Sequence, residues 1–176
     1  MKRILKTLHI FMIIALLGTM AGCSGVKNTQ ISEEPKRIVS VAPSITELIY
    51  ALGKGENLVG RTDYCDYPEE TKEVPSIGSL IDPSVEKIVE LNPDIVIATA
   101  NFKEETYKKL EDLGIEVVVL YEAIDLEGAY DSIARLGQIL NAEDEANRVI
   151  TEIKDKIEEV QEKVKDAPRP KVYYVA

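Results

Sequence analysis

From residue 37 onwards, short β-branched runs alternate with longer segments whose apolar residues follow a helical period. This alternation is typical of parallel strands joined by helical crossovers, because each crossover returns the chain to the same end of the sheet. The sequence therefore predicts an α/β lobe with a parallel sheet over residues 36–141. Strands are predicted over residues 37–42, 94–98 and 116–120, and helices over residues 44–52, 84–91, 103–113 and 126–140.

Several helix boundaries carry local signals. Pro43 interrupts the first predicted strand, and Ser44 begins a capping-box pattern that predicts it as the N-cap of the first helix. Asp82 followed by Pro83 is typical of an N-cap and a proline at the first helical position. Glycines that are expected to end two of the helices stand at Gly53 and Gly114.

The segment after the lobe contains no proline or glycine between residues 143 and 166 and predicts a helix of roughly 36 Å at ~1.5 Å per residue. We assign this long helix to residues 142–167. Its apolar stripe covers fewer than three heptads, which favours packing on its own protein over a coiled coil. The strand-like run at residues 171–176 either begins a further unit or returns to the sheet as an edge strand.

The amino-terminal segment has the features of a bacterial lipoprotein signal. A basic start and an apolar run are followed by Met20-Ala21-Gly22-Cys23, which resembles a lipobox. Residues 1–22 are accordingly predicted to be a lipoprotein signal peptide, Cys23 the lipidation site, and residues 23–35 a flexible tether. An ordinary secretory peptide with a chance cysteine and an uncleaved anchor helix remain alternatives.

Composition excludes several classes of function. The chain has 31 acidic and 21 basic residues, so nucleic acid is a poor partner and side-chain adhesion to anionic lipid is disfavoured. The single histidine, His9, lies in the predicted signal peptide, which excludes Ser-His-Asp chemistry and His-ligated metal sites from the remaining chain. With Cys23 lipidated, Cys65 would be a lone neutral thiol, buried or partly buried. Neither a catalytic site nor a metal or cofactor is predicted.

Two segments resemble the opening of the class III periplasmic binding proteins. They read Arg37-Ile-Val-Ser-Val-Ala-Pro-Ser-Ile-Thr-Glu-Leu and Val85-Glu-Lys-Ile-Val-Glu-Leu-Asn-Pro-Asp-Ile-Val-Ile-Ala. Between them, Asp63-Tyr64-Cys65-Asp66-Tyr67-Pro68 and Ile77-Gly78-Ser79 stand in the family's order. This family comprises the cobalamin, ferric-siderophore and haem binding proteins of bacterial ABC importers.

The resemblance spans residues 36–176 and implies a fold of two α/β lobes joined by a rigid helix, with the ligand in the cleft between them. On this basis the sequence carries the first lobe, the interdomain helix and, at residues 168–176, the first strand of a second lobe. Half of the expected cleft is therefore outside the sequence.

The resemblance also implies ligand contacts from Pro43, Ser44, Tyr64, Leu80 and Phe102. Tyr64 has independent chemical support, because an aromatic ring on a loop offers a flat face to a corrin, porphyrin or catecholate. A proline after a strand and a serine at an N-cap also have purely local explanations, so both interpretations of that pair stay open.

The surface glutamate through which family members pair with an arginine of the membrane permease corresponds to Glu86. A carboxylate in the first turn of a helix is also favoured by the helix dipole alone, by about 0.3–1 kcal/mol.

The acidic residues beside Tyr64 could neutralise a basic substituent of the ligand or form hydrogen bonds with their own backbone. These are Asp63 and Asp66.

The predicted function is that of an extracytoplasmic substrate-binding lipoprotein of an ABC importer for an iron complex, either siderophore or haem, or for cobalamin. It would capture ligand, dock on the permease and perform no bond chemistry, on the outer face of a Gram-positive membrane or in a Gram-negative periplasm. A truncated remnant or membrane-anchored interaction module is the first alternative. The second, an enzyme subunit of doubly wound fold, lacks a paired nucleophile and base in this sequence.

Overall fold

The computed structural model describes residues 34–121 and 123–174 and contains a four-stranded sheet in the order β2-β1-β3-β4. All three strand pairs are parallel. The predicted α/β fold with a parallel sheet is therefore confirmed, and the short apolar segment at residues 58–60 is its fourth strand. The strands are β1 (Ile38–Ser40), β2 (Leu58–Gly60), β3 (Ile95–Thr99) and β4 (Glu116–Leu120).

Five α-helices lie among the described residues, and they cover both faces of the sheet. Their bounds are α1 (Pro43–Ala51), α2 (Val85–Glu90), α3 (Glu104–Asp112), α4 (Leu126–Ile139) and α5 (Glu143–Val164). Short 3-10 helices occupy Gly55–Asn57 and Glu69–Glu73. Helices α1 and α4 share one apolar layer with the sheet, and α2 and α3 share the other.

The central strand β3 shows why this sequence forms a sheet that is buried on both faces. Ile95 and Ile97 lie in the layer with α1 and α4, whereas Val96 and Ala98 lie in the layer with α2 and α3. Successive side chains of a strand point to opposite faces, so a continuous apolar run is what a strand between two helical layers requires.

The connections leave the two central strands in opposite directions. From β1 the chain moves outwards to β2, at one end of the strand order. From β3 it moves outwards to β4, at the other end. In open α/β sheets, a crevice forms at such a topological switch point, outside the carboxyl ends of the strands. In this protein the switch point lies between the ends of β1 and β3.

Two predicted helix caps are wrong. Ala42 occupies the N-cap position of α1 and Pro43 follows at its first turn, so Ser44 is already inside the helix. The N-cap of α2 is Ser84, whose hydroxyl accepts a hydrogen bond from the Lys87 amide at 3.2 Å. Asp82 is not the N-cap, because the backbone is still extended at residue 84. A hydrogen bond from the Ser84 amide to the Ile77 carbonyl, at 2.8 Å, holds it in that conformation.

The glycines Gly53 and Gly114 are placed as predicted. Each follows the C-cap residue of its helix and has a positive φ, of 72° and 79° respectively. This left-handed conformation is accessible to glycine without steric cost, which is why helices so often end there.

The long helix is confirmed as a single helix of 22 residues, but its stripe packs over only part of its length. Ala146 is buried and Val149 and Ile153 are half-buried in the layer that contains α4, whereas Val160 and Val164 are exposed. A Lys154 ammonium 4.6 Å from the centroid of the Tyr130 ring adds a cation–π contact between α5 and α4.

The predicted strand after α5 is not formed by residues 171–174, the part of it that the structure describes. These residues are exposed, and a strand requires a neighbouring strand for its backbone hydrogen bonds. The predicted signal peptide, the lipidation site Cys23 and residues 175–176 lie outside the described residues. Within residues 34–121 and 123–174, no helix is long and apolar enough to cross a membrane.

Burial raises the pKa of the Glu116 carboxyl, at the start of β4, above its ordinary value. Its Oε1 atom is buried and has no hydrogen-bond partner among the described residues. A carboxyl whose folded-state pKa is raised costs stability only when it is ionised, so the cost is absent below the unfolded-state pKa and complete above the folded-state pKa.

We therefore expect Glu116→Gln to increase the free energy of unfolding at pH 7 and to leave it nearly unchanged at pH 3.5. Urea denaturation at the two pH values measures the difference. The exposed Glu158, on α5, gives the control Glu158→Gln. A gain that is equal at both pH values, or equal in the control, would show that ionisation of Glu116 is not its cause.

Candidate ligand-binding edge of the sheet

The parallel strands place their carboxyl ends along one edge of the sheet, and the loops that follow them meet there. We call this surface the carboxyl edge. It is formed by residues 43–44, 61–68, 79–82, 100–103, 121 and 123–125.

A buried hydroxyl pair fixes the turn from β1 into α1. Thr46 Oγ1 donates to Ser40 Oγ at 2.8 Å, and Ser40 Oγ donates to the Ala42 carbonyl at 3.1 Å. Both side chains are fully buried, so this network holds the first turn of α1 against the end of β1. It leaves Pro43 half-buried and Ser44 exposed at the switch point.

The loop after β2 is held in place by the guanidinium group of Arg61. Its Nε lies 3.2 Å from the carbonyl oxygens of both Thr71 and Val74, and its Nη1 donates to the Thr62 carbonyl at 3.1 Å. A planar guanidinium can satisfy several carbonyls at fixed angles. The half-buried Arg61 side chain therefore ties both ends of the loop to the end of β2.

Two side chains of this loop point inwards, and each is followed by two exposed residues. Thr62 and Cys65 are buried, with 3.2 Å between Thr62 Oγ1 and Cys65 Sγ. Tyr64 and Tyr67 are 64% and 67% exposed. The predicted burial of Cys65 is confirmed, and Tyr64 presents its ring to solvent at the carboxyl edge.

The crossover loop before α2 is joined to the loop after β3 by an ion pair. Lys103 Nζ donates to Asp82 Oδ1 at 2.8 Å. The hydrogen bond and charge of Lys103 lower the pKa of the Asp82 carboxyl below its ordinary value. Because both side chains are largely exposed, the pair serves to align the two loops more than to stabilise the fold.

Two of the predicted ligand contacts have much of their surface in the core. Leu80 is half-buried and packs against both apolar layers, and Phe102 is half-buried against the layer that contains α3. Each lies at the carboxyl edge, as predicted, but presents less surface than Tyr64. The residue after Leu80, Ile81, is 69% exposed and was missed in the sequence analysis.

The loop after β4 was missed altogether. Tyr121 is 70% exposed and Ile124 is 98% exposed, although both are large apolar side chains. The available signal was position: Tyr121 directly follows a correctly predicted strand, so its loop had to lie at the carboxyl edge with the others.

Of the predicted functional residues that the structure describes, Glu86 lies outside the carboxyl edge. It is exposed in the first turn of α2, two positions before the buried Ile88, and so lies on the face of α2 that points away from the sheet. Among residues 34–121 and 123–174, no cluster of three or more His, Cys, Asp or Glu side chains could hold a metal ion.

Comparison with known proteins connects this geometry to one family. The family model described as periplasmic binding protein matches residues 38–176. An uncharacterized ABC transporter substrate-binding lipoprotein of Bacillus subtilis is 37% identical over 142 residues, which are 79% of this chain and 45% of that protein. A vitamin B12-binding protein of Vibrio campbellii is 29% identical over 140 residues, covering 79% of this chain and 50% of the relative.

Solved structures show the same fold. A periplasmic heme binding protein from Pseudomonas aeruginosa superimposes with a TM-score of 0.73 at 28% identity, over 77% of this chain and 50% of that one. The chain thus spans about half the length of the curated relatives it matches. These relatives have the names of binding proteins, in agreement with the prediction that the chain is not an enzyme. The chain belongs to the periplasmic binding protein family.

Proposed function

We propose that this chain is the ligand-binding lobe of the extracytoplasmic substrate-binding component of an ABC importer, and that it binds a metal-containing macrocycle or siderophore complex at the carboxyl edge. The observation that carries the proposal is the set of large apolar side chains left exposed around the topological switch point. Contiguous exposed apolar surface on a folded domain marks a binding site.

The exposed side chains suit a broad, flat ligand. Tyrosine rings offer apolar faces together with a hydroxyl that can reach a polar substituent. Tyr64 and Tyr121 come from loops on opposite sides of the switch point, after β2 and β4, so together they would contact a ligand wider than a single amino acid or sugar. Relatives named for vitamin B12 and heme support this size class.

Membrane attachment and permease docking form the second part of the proposal. Cys23 would carry the lipid that holds the chain on the outer face of the membrane, and the lipoprotein of Bacillus subtilis supports that assignment. Glu86, exposed on the outer face of α2, would pair with a basic residue of the permease. Neither role requires bond chemistry by this chain.

We expect the chain to bind at least one of cyanocobalamin, hemin and ferrichrome with micromolar or lower Kd in isothermal titration calorimetry. Tyr64→Ala should weaken that binding about 10-fold, because a largely exposed ring that packs on a ligand behaves as an interface anchor. The matched control is Tyr173→Ala, whose ring is exposed in the segment after α5. Equal losses in both variants would exclude Tyr64 as a ligand contact.

A folded chain that binds none of the three compounds would instead favour a membrane-anchored interaction module. One observation favours that second candidate: Val160 and Val164 continue the apolar stripe of α5 beyond the part that packs on α4. Circular dichroism on the same sample establishes that the chain is folded, so a negative titration would decide between the two functions.

A further inference from the structure

Residues 34–37 are fastened to the edge of the sheet at which the strands begin, opposite the carboxyl edge. Pro35 is buried, and its carbonyl accepts a hydrogen bond from Asn57 Nδ2 at 3.0 Å. Glu34 Oε1 accepts from Lys54 Nζ at 2.6 Å. Both contacts are made with the loop after α1, so the two residues are held against the lobe.

Asp94, directly before β3, binds the backbone of the next two residues. Its Oδ2 atom accepts from the Lys36 amide at 2.8 Å and from the Arg37 amide at 2.9 Å. The Asp94 amide in turn donates to the Arg37 carbonyl at 2.8 Å. Hydrogen bonds to a carboxylate are stronger than those between neutral groups. We call residues 34–37 together with Asp94 the amino clamp.

The side chain of Arg37 adds further contacts to the same loop. Its Nε lies 3.1 Å from the carbonyl oxygen of Leu91 and 3.0 Å from that of Asn92, and its Nη2 donates to the Leu91 carbonyl at 2.6 Å. The side chain of Lys36, one position earlier, is exposed. The clamp therefore combines an accessible basic side chain with a backbone whose amides are already bound.

This combination decides how a protease can act on the segment. A trypsin-like serine protease takes a basic side chain into its specificity pocket and needs an extended, unpaired backbone on both sides of the scissile bond. Lys36 can supply the side chain, but its own amide and that of Arg37 are bound to Asp94. The Lys36–Arg37 bond is therefore open to cleavage only while the clamp is locally open.

We propose that the amino clamp protects a latent cleavage site at the Lys36–Arg37 bond, and that a trypsin-like serine protease acting there releases the folded lobe from its amino-terminal segment. The protease adds water across this one peptide bond, which leaves a carboxylate on Lys36 and a free amino group on Arg37. The four strands lie after the break, so the sheet stays whole. Release from a membrane rests on the proposed lipidation of Cys23, whereas the cleavage itself does not.

The test is trypsin digestion of the full chain under native conditions, with new amino termini identified by mass spectrometry. In Asp94→Ala, the terminus that begins at Arg37 should form at least about 10-fold faster, because two charge-assisted hydrogen bonds that keep the clamp closed are lost. Asp94→Asn retains an acceptor oxygen and should give an intermediate rate. The control Asp155→Ala, at an exposed position on α5, should match the unaltered chain.

Other cleavage sites distinguish local opening from loss of the fold. The Lys171–Val172 bond lies in the exposed segment after α5 and should be cut at the same rate in all variants. Cleavage after Arg37 or after Arg61 requires β1 or the loop after β2 to open. If Asp94→Ala accelerates these two cleavages as much as that of the Lys36–Arg37 bond, or accelerates none of the three, the inference is overturned. Should Asp94→Ala fail to fold, Asp94→Asn is judged by the same criterion.

Digestion of membranes that carry the lipidated chain separates this inference from the proposed function. Every variant there also carries Lys27→Gln, because Lys27 is the one basic residue between Cys23 and Lys36. Trypsin should move the lobe of Asp94→Ala into the soluble fraction at least about 10-fold faster than the lobe with Asp94 intact. Equal release from membranes would overturn the clamp and leave the anchor intact. A chain that is never found with membranes, yet is cut faster as Asp94→Ala, would contradict the anchor and support the clamp.

Discussion

Replacement of Ile97 by alanine is expected to lower the free energy of unfolding by about 2–5 kcal/mol. Ile97 is fully buried in β3, one of the two central strands, and packs in the layer that contains α1 and α4. Alanine would remove apolar contacts and leave a cavity that two helices and a sheet cannot easily collapse. A domain of this size has a total stability of only about 5–15 kcal/mol, so the loss would be large.

Urea denaturation followed by circular dichroism at 222 nm measures this loss. The matched control makes the same substitution at Ile124, which is 98% exposed, and should change the free energy of unfolding by less than about 0.5 kcal/mol. Equal effects in the two variants would contradict the assignment of Ile97 to the core.

The second large effect is expected for Arg61→Met, which keeps the apolar stem of the side chain and removes its donors. The carbonyls of Thr62, Thr71 and Val74 would lose a charged partner, at a cost of about 2 kcal/mol or more. Because Tyr64 lies in the loop that these bonds hold, ligand affinity should fall as well. Arg61 is thus a positioning residue and need not touch the ligand.

Hydrogen exchange distinguishes this role from a general loss of stability. In Arg61→Met, amides of residues 62–74 should exchange at least about 10-fold faster, while those of β3 follow the global stability. Arg61→Lys keeps the charge but carries its donors on one nitrogen, whereas the arginine uses both Nε and Nη1, so it should restore little of the protection. Unchanged exchange in the loop would rule out the proposed anchor. Arg148→Met, on the exposed surface of α5, serves as the control.

The parts of the fold that were predicted correctly depend on signals within one segment. Continuous apolar runs identified β3 and β4 because strands buried on both faces need apolar side chains at every position. The long helix was recognisable because nothing between residues 143 and 164 interrupts a helical backbone. These sequence patterns are reliable because the strands and the helix require them whichever segments pack against them.

Errors arose where contacts beyond the few residues of a capping pattern decide a local structure. Ser44 and Asp82 both looked like helix caps, yet the network of Ser40 with Thr46 sets the start of α1, and the bond from the Ser84 amide to Ile77 delays the start of α2. Residues 171–174 have the composition of a strand but no strand beside them. Such partners cannot be seen in a local sequence pattern.

The position of the loops after the strands was predictable from the sequence, but their exposed side chains were not. Parallel topology places the loops after the strands at one edge, and Pro43, Tyr64 and Phe102, which the family resemblance implies as ligand contacts, lie in those loops. Which of two neighbouring apolar residues turns inwards is decided by packing. Leu80 turned towards the core and Ile81 towards solvent, and no periodicity in a short loop distinguishes them.

The most direct test of the central claim is a backbone amide NMR titration of the ¹⁵N-labelled chain with cyanocobalamin, a diamagnetic ligand. If the carboxyl edge binds ligand, the largest shift changes should fall in residues 44–45, 61–68, 79–82, 100–103 and 121–125. Amides at the opposite edge, in residues 55–57, 92–94 and 114–115, should hardly move. Changes centred on that opposite edge or on α5, or none at saturating ligand, would contradict the account.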